Sequence, residues 1–581
     1  MTVSNNAKSY TFSGSGRISG TTSVTKQGTG TATINLAGND YSGNTTVSAG
    51  RLALGSGTAI PDGATAGGVS ISAGGTLDMS GFSETINGLS GSGIIDNSSA
   101  TASTLTVGNG NMGGTWSGTI TNSSSTVTIL KVGTGSLTIS GTNYLGGTSQ
   151  FNGGTNDLTT TGNLTHIGTG EFWVQQNAGT SRFIMNGGSL LVNSWFVVGR
   201  NAATANGTFI LNAGTVQKAG ANNVVVGSLN ATGLLEINGG QFLNNGMLWL
   251  GENASANATL RLNGGLIQAT QVRPNNAVAS SVAYFNGGIL QASASSADFI
   301  VTTSPIIQTG GLVFDTQAFT VTNNSALLED PSAPGGGLTK LGSGTLVLTA
   351  GNSYNGPTLV NNGTLQVDGN IPGAVTVKSG AKLGGGGSVS GLVTVEAGGS
   401  IGAGASIGTL TLSATPVLNG SVVAEVDRNG GTPLSDVISV GAPITYGGTL
   451  VVTNTGAPLQ PGDTFTLFNA SSYSGSFTLV SQTPGQVVTW NTAYLTANGS
   501  ISVATAGPLT PPTMTNSVSG NTITLNWPAS YLGWVLQLQT NSISTGLSNN
   551  WVDVPGSGAS TTATVTVDPQ NPTVFIRLRS P

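Results

Sequence analysis

The chain has 581 residues, of which 91 are glycine and only 6% are charged. Soluble proteins usually carry roughly a quarter charged residues, so the charged fraction is low. Disordered chains are poor in apolar residues, whereas 37% of this chain is hydrophobic, so the chain is not expected to be disordered. Its 16 basic residues are too few for a phosphate-tracking surface, so we expect no nucleic-acid partner. The absence of cysteine excludes disulfides and thiolate chemistry.

The N-terminal residues lack the basic and apolar pattern of a signal peptide, and no run of 18 apolar residues predicts a transmembrane helix. Ser9, Tyr10, Thr11 and Phe12 alternate in polarity like a strand that precedes the first repeat. We expect this strand to be free in its own chain and available for assembly with a second copy.

One motif occurs three times, as Lys-x-Gly-x-Gly-(Thr/Ser) followed by Tyr-x-Gly-x-Thr. Valine, threonine and glycine in such a pattern favour strands joined by tight turns. The three copies contain Lys26, Gly28, Gly30, Tyr41 and Gly43, then Lys131, Gly133, Gly135, Tyr144 and Gly146, then Lys340, Gly342, Gly344, Tyr354 and Gly356.

These motifs resemble the autotransporter-associated β-strand repeat of passenger-like bacterial surface proteins. The resemblance implies a parallel β-helix that is exported to the cell surface. Self-anchoring members of that group end in a membrane β-barrel of alternating strands. Because the sequence has no room for such a barrel after its repeats, we expect a surface protein without one.

A second repeat type fills the middle of the chain, where Asn-(Gly/Ala)-Gly recurs at steps of 26, 26, 25 and 23 residues. The repeated asparagines are Asn186, Asn212, Asn238, Asn263 and Asn286. Each period holds about three short apolar strands, which predicts one coil of a three-sided solenoid. The asparagines are interpreted as an inward hydrogen-bonded ladder combined with left-handed corner residues.

The sequence therefore predicts an all-β protein with three parts. A right-handed parallel β-helix occupies residues 1–418, a cap region occupies 419–506, and a small fibronectin- or immunoglobulin-like sandwich occupies 507–581. Gly507-Pro508 and Pro511-Pro512 are predicted to form the linker before the sandwich. Strands are predicted there at 522–527, 534–539, 551–554, 563–567 and 574–578, with a buried face of Ile523, Leu525 and Trp527.

Residues that could carry catalysis are sparse. His166 is the sole histidine, and it lies in an alternating strand, which favours a structural role over a Ser-His-Asp triad. Glu329 and Asp330, with Asp315 upstream, are the nearest acidic cluster, but adjacent strand residues point to opposite faces. We expect no catalytic, cofactor or metal site, and no enzyme activity.

Three functions from different classes follow. The first is an extracellular structural subunit of a fibre or coat, a homopolymer linked head-to-tail by strand donation from residues 9–12. The alternative is an adhesin that binds surface glycans, with Trp534 or Trp551 exposed on the C-terminal module. The third and weakest is a polysaccharide lyase or hydrolase. The three repeat tyrosines, Tyr41, Tyr144 and Tyr354, are predicted to pack at corners of the solenoid. The alternative is that they are exposed and stack against sugars.

Overall fold

The structure is a computed structural model that describes residues 1–275, 280–429, 432–508, 512–542, 544–568 and 573–579. It contains two compact units, residues 1–359 and residues 360–581. Almost all regular structure is β-strand, and one short α-helix covers Leu495–Asn498. None of the helices in the described ranges is long and apolar enough to cross a bilayer.

The first unit is a parallel β-solenoid whose strands stack coil upon coil on three faces. Four strands cross a corner, so that the first part of each belongs to the first stack and the later part to the second stack. They are Thr45–Leu54, Val69–Asp78, Gly179–Val192 and Ala205–Lys218. The first stack contains Thr2–Ser4, Val24–Gln27, Thr45–Leu54, Val69–Asp78, Leu89–Gly91, Gly114–Trp116, Leu137–Ile139, Gly154–Leu158, Gly179–Val192, Ala205–Lys218, Thr232–Ile237, Asn257–Leu262, Ser280–Phe285, Ser304–Ile307 and Leu328–Glu329.

The second stack starts on the strand that follows in each coil. It contains Tyr10–Ser13, Thr31–Asn35, the later halves of the four corner-crossing strands, Ile94–Asp96, Thr119–Ile120, Thr142–Leu145, Asn163–His166, Gln241–Asn244, Leu266–Ala269, Ile289–Ala292, Leu312–Asp315 and Leu338–Leu341. The third stack contains Glu84–Ile86, Ser103–Val107, Val127–Lys131, Ser149–Phe151, Phe172–Val174, Phe196–Val198, Val224–Val226, Leu248–Leu250 and Val272–Arg273. The first unit also contains Thr320–Asn323, which pairs in parallel with Thr345–Leu348. The strand Thr358–Val360 spans the sequence boundary between the two units.

Alternation along each strand divides the side chains between the core and the surface. In the middle coils the inward positions carry rings that stack on one another, for example Phe183 on Phe209 at 5.6 Å and Phe172 on Phe196 at 5.1 Å between centroids. All four rings are fully buried. The three-strand coil predicted from the asparagine period is confirmed, whereas the right-handed sense of coiling stays a prediction.

The second unit has parallel strand pairing for much of its length. Its strands before the C-terminal module are Gly363–Val367, Asn370–Ile371, Val375–Val377, Ala381–Gly384, Ser388–Val389, Val393–Val395, Ser400–Gly402, Thr409–Leu412, Val417–Leu418, Ser421–Asp427, Leu434–Ser435, Val437–Val440, Ile444–Tyr446, Thr449–Asn454, Thr464–Thr466, Phe468–Asn469, Tyr473–Gly475, Thr478–Gln482, Gln486–Asn491 and Ser500–Pro508. Parallel pairs extend to Thr478–Gln482, and antiparallel pairing of the 464–508 region follows. Solenoid pairing thus extends into the predicted cap region.

The C-terminal module consists of two three-stranded antiparallel sheets. One sheet contains Thr515–Ser519, Thr522–Asn526 and Thr562–Thr566, and the other contains Val552–Asp553, Val535–Thr540 and Val574–Arg579. Short 3₁₀ turns cover Ala529–Tyr531 and Ser557–Ala559. Leu525 and Trp527 lie in the common core as predicted, with Leu536 from the second sheet and Trp534, which directly precedes that strand. The immunoglobulin- or fibronectin-like identity of this module stays a prediction.

Two expectations about chain segments are corrected by the pairing. The N-terminal strand is Tyr10–Ser13, and it is not free, because it pairs in parallel with Thr31–Asn35 of its own chain. That pairing satisfies backbone groups that an end coil would otherwise expose. Gly507-Pro508 is not a linker but the end of a strand paired with Gln486–Asn491, while Pro511 lies outside the described residues.

Candidate functional site

The lysine of the repeat motif lies inside the solenoid rather than on its surface. Lys26, Lys131 and Lys340 are all 0% exposed. The Lys340 ammonium donates to the carbonyl oxygens of Leu341 and Gly342, both at 2.8 Å. Such an ammonium holds together the carbonyls of the tight turn that follows it, which explains why lysine precedes Gly-x-Gly in each copy.

Burial also changes the acidity of these lysines, and at Lys340 the nearby Asp315 carboxylate opposes the change. Burial lowers the pKa of Lys131 and Lys340 to about 8, from an ordinary value of 10.5. The first glycine of the motif adopts a left-handed backbone, with φ of +72° at Gly28 and +80° at Gly342, which a residue with a Cβ rarely adopts. The motif is therefore a turn-forming unit with an internal cation.

The three motif copies do not share one face of the solenoid. Lys26 lies in a strand of the first stack, Lys131 ends a strand of the third stack, and Lys340 lies in the second stack. Sequence reasoning aligned the copies but could not place them, because coil lengths differ between them. The copies therefore do not build one continuous functional surface.

The repeat tyrosines have two different fates. Tyr41 and Tyr354 are buried, and their hydroxyls hydrogen-bond Thr45 and Thr358 at 2.6 and 2.8 Å. This bond accounts for the Tyr-x-Gly-x-Thr spacing, because the threonine lies four residues on at the start of the next strand. Tyr144 departs from the pattern and is 43% exposed. Corner packing is thus confirmed for the first and third copies and wrong for the second.

The repeated asparagines form a ladder, but on the outside. Each amide Nδ2 donates to the Oδ1 of the asparagine one coil earlier: Asn212 to Asn186 at 2.8 Å, then Asn238 to Asn212 and Asn263 to Asn238 at 2.9 Å. We call these four residues the asparagine ladder. Asn286 departs from it, since its Oδ1 accepts from the Gly310 amide instead.

The expectations of inward orientation and left-handed asparagines were wrong. Asn186, Asn212 and Asn238 are exposed, and none of the ladder residues has a positive φ. The left-handed conformation falls on the glycine two positions later, for example Gly240 at +68°. Glycine adopts this conformation without a Cβ penalty, so the asparagine side chain remains available for stacking along the corner.

We expect Asn238→Asp to weaken the solenoid by about 1–2 kcal/mol. The change removes the donor that Asn238 Nδ2 supplies to Asn212 and to Glu236 Oε1 at 3.0 Å, and it places a second carboxylate beside Glu236. Urea unfolding of the full chain measures the loss. Asn230→Asp, in an exposed loop away from the ladder, is the matched control. Equal midpoints for the two variants would show that the ladder contributes nothing to stability.

A cleft of about 280 Å³ opens beside the first repeat. Glu84, the first residue of the third stack, is one of the residues that line it and is only 2% exposed. Its carboxylate accepts from the amides of Ala59 at 3.0 Å, Ile60 at 3.3 Å and Thr85 at 3.2 Å. Burial, with a further contribution from nearby Asp62, raises the pKa of Glu84 to about 8. Sequence reasoning missed this residue because no motif surrounds it.

This raised pKa predicts a pH-dependent stability. The folded chain binds the Glu84 proton more tightly than the unfolded chain, whose value lies near the ordinary 4.5, so stability falls as pH rises from about 5 to 8. We expect Glu84→Gln to flatten this fall in the thermal unfolding midpoint. Glu396→Gln, a half-exposed partner of Lys378, should leave the slope unchanged. An unchanged slope in Glu84→Gln would contradict the assignment.

The two candidate catalytic clusters are not assembled as active sites. His166 is fully buried against Phe172, burial lowers its pKa to about 4, and no serine or carboxylate side chain among the described residues hydrogen-bonds its ring. Glu329 accepts from the Gly335 amide and Asn355, and Asp330 from Ser332 and Gln308. These hydrogen bonds lower both carboxyl pKa values, which is opposite to what a general acid requires. The described residues hold no cluster of three acidic or histidine side chains suited to a metal ion.

An aromatic surface lies on the outside of the third stack. Its middle residues Gln150, Trp173, Val197, Val225 and Trp249 are in parallel register from one coil to the next. They alternate along their strands with core residues such as Phe172, Val174, Leu248 and Leu250. Gln150, Trp173 and Trp249 are half-buried, whereas Val197 and Val225 are 1% exposed. Trp195, next to this row, has its ring centroid 5.5 Å from that of Trp249.

Charged side chains hold the first of these rings. The Trp173 indole nitrogen donates to Glu171 Oε2 at 2.5 Å, and the Arg200 guanidinium lies 4.4 Å above the ring centroid. Arg200 also pairs with Glu171 at 3.3 Å. We define Trp173, Trp195 and Trp249, with Glu171 and Arg200, as the aromatic strip.

The prediction that Trp534 of the C-terminal module is exposed at a binding tip was wrong. Trp534 is 8% exposed and lies in the core of the module.

Comparisons with known proteins match two of the three motif copies. Residues 24–54 and 338–367 match the model of the passenger-associated-transport-repeat. These are the copies with a buried tyrosine bonded to its threonine. The matched segments cover a small part of the chain, and the departure at Tyr144 falls outside them.

One curated relative is an adhesin autotransporter, BmaC, of Brucella suis biovar 1 (strain 1330). The identity is 30% over 194 residues, which is 33% of this chain but 5% of that protein. The relative is thus far longer than the region it shares with this chain. Together, the repeat match, this similarity and the parallel coils identify the chain as a β-solenoid that carries the passenger-associated transport repeat of autotransporter-type proteins.

Proposed function

We propose that the chain is a non-enzymatic adhesive module that acts at the bacterial surface or outside the cell. The similarity to an adhesin autotransporter carries this proposal. The repeats support it, since they are named for association with passenger transport. A solenoid suits the role because each coil contributes a small outward patch to an extended surface.

The fibre-subunit function, placed first from the sequence, has the weaker support. It relied on a free N-terminal strand, and that strand is paired with Thr31–Asn35. Donation to a second copy would first require this pairing to break, at the cost of four residues of parallel ladder. Electron microscopy of the full chain and of a variant lacking residues 2–14 tests this function. Polymers formed by the full chain and lost in the variant would restore it.

Adhesion is tested with the purified full chain coupled to fluorescent beads. We expect the beads to bind a bacterial or host surface in a saturable manner and to be displaced by excess free chain. Beads coated with serum albumin are the negative control. Binding that does not saturate, or that free chain does not displace, would contradict an adhesive function.

A further inference from the structure

The pair Asn362-Gly363 lies at a corner within the third motif copy. Asn362 is exposed, and it precedes the strand Gly363–Val367 directly. Asn-Gly pairs recur along the chain, for example in the asparagine ladder. At this corner, however, the Gly363 amide donates to Oδ1 of Asn362 itself, at 2.7 Å. The backbone nitrogen of the glycine thus lies beside the side-chain amide of the residue before it.

We propose that Asn362 is a site of spontaneous deamidation, a modification that the chain undergoes without an enzyme. Hydroxide removes the Gly363 amide proton, and the backbone nitrogen attacks Cγ of Asn362. The bond between Cγ and Nδ2 breaks, and ammonia leaves after it takes a proton from water, which restores the hydroxide. The product is a cyclic succinimide that contains the Gly363 nitrogen. This chemistry is independent of the adhesive function.

Water then opens the succinimide ring in one of two ways. Cleavage of the bond between the Gly363 nitrogen and Cγ gives an aspartyl residue. Cleavage of the bond between that nitrogen and the backbone carbonyl carbon gives an isoaspartyl residue, whose main chain runs through Cγ. In both cases water supplies a hydroxyl to the carbon and a proton to the nitrogen, so no oxidant or reductant is needed. Each product carries a carboxylate in place of the amide.

Two features of this corner favour closure of the ring. Glycine has no Cβ to obstruct the approach of its nitrogen to the preceding side chain. The hydrogen bond also holds the two reacting groups next to each other, so that closure requires little further loss of conformational freedom. The turn itself requires the glycine, because Gly363 has a φ of +65°, like Gly50 at +68° in the first copy.

The same dipeptide is held differently in the asparagine ladder. The Gly239 amide donates to the Leu211 carbonyl of the preceding coil at 3.1 Å. The Gly264 amide donates to the Ile237 carbonyl in the same way, also at 3.1 Å. The side-chain amides of the ladder are bonded from coil to coil as well. Because attack would first require these coils to open locally, we expect the ladder to be protected.

An isoaspartyl residue at position 362 would disturb the coil that follows. The strand Gly363–Val367 pairs in parallel with Ala381–Gly384, beginning with Gly363 opposite Ala381. The additional main-chain carbon lies directly before this first pair, so the register at that end has to adjust. Since each coil contacts mainly its neighbours, we expect the disturbance to remain close to the corner.

Peptide mapping by mass spectrometry, after incubation of the full chain at mildly alkaline pH in water labelled with heavy oxygen, tests the inference. Incorporated oxygen marks the opened ring, and fragment ions assign the residue. We expect Asn362 to convert roughly tenfold or more faster than Asn238 or Asn263, which also precede glycine. In urea the three rates should become similar, because the hydrogen bonds between coils are lost. Equal rates in the folded chain, or a difference that persists in urea, would overturn the inference.

Asn362→Ala is the matched variant, because Ala49 precedes the corresponding glycine of the first copy. We expect this variant to fold and to gain no labelled oxygen at position 362. Hydrogen exchange of residues 363–367 should increase during incubation of the wild-type chain and stay constant in the variant. An equal increase in both proteins would contradict the proposed effect of the modification on the strand pairing.

Discussion

Replacement of Gly356 by alanine is expected to destabilise the solenoid by about 3 kcal/mol or more. A Cβ at this position would lie 2.2 Å from both the carbonyl carbon and the oxygen of Gly336, and 2.5 Å from the oxygen of Gly335. These are backbone atoms of the neighbouring coil, so no rotamer change can relieve the clash. Parallel hydrogen bonds fix the distance between coils, and the two coils must therefore separate locally.

Urea unfolding of the full chain, combined with hydrogen exchange of residues 330–360, measures the effect. Because each coil contacts mainly its neighbours, we expect exchange to increase around the substitution more than in distant coils. Gly16→Ala is the control, since a Cβ there would meet no atom within 4 Å. Equal stability of the two variants would show that the coils move apart without a free-energy cost. Close approach of the neighbouring coil would then not explain the glycine of Tyr-x-Gly-x-Thr.

Lys340→Met is expected to cost about 2 kcal/mol at neutral pH. Methionine fills a similar volume but leaves the buried carbonyls of Leu341 and Gly342 without the donor that Lys340 supplies. Part of this loss is offset, because methionine avoids the cost of burying an ammonium. Lys378→Met, which removes a half-exposed ion pair with Glu396, should cost well under 1 kcal/mol.

The pH dependence distinguishes this role from simple packing. The pKa of Lys340 is lowered to about 8 in the folded chain and is near 10.5 when unfolded, so the unfolded chain binds more protons between these values. Stability contributed by this residue therefore rises as pH increases from about 8 to 10. The Met variant should lack this rise in thermal midpoint relative to wild type. A difference between the two proteins that does not vary with pH would contradict a buried ammonium.

Much of the fold could be predicted from periodicity. The asparagine period and its apolar triplets predicted three strands in each coil, because a repeated corner signal every 23 to 26 residues leaves room for three faces. The buried face of Leu525 and Trp527 followed from alternation alone. Such features are local, since each strand carries its own inward and outward pattern.

Orientation and position could not be predicted in the same way. The sequence aligned Asn186 with Asn212, but the expectation that their side chains face the core was wrong, because the orientation depends on which residue takes the left-handed backbone, and that residue is the glycine. It aligned Tyr144 with Tyr41, yet one is exposed and the other buried. No sequence motif marks Glu84 or the aromatic strip, because residues that contact them come from other coils and lie far away in the sequence.

The sequence by itself thus determined that this chain is a charge-poor, repetitive β-solenoid with the motif of passenger-like proteins. Its glycines, asparagines and alternating apolar residues act within one turn or one strand, and that information is written along the chain. Only the tertiary structure decided which side chains meet across coils. The stacking of coils depends on the length of every intervening loop, which no single strand specifies. This stacking places Trp195 against Trp249 and buries Lys340. It also pairs the N-terminal strand, which was expected from the sequence to be free.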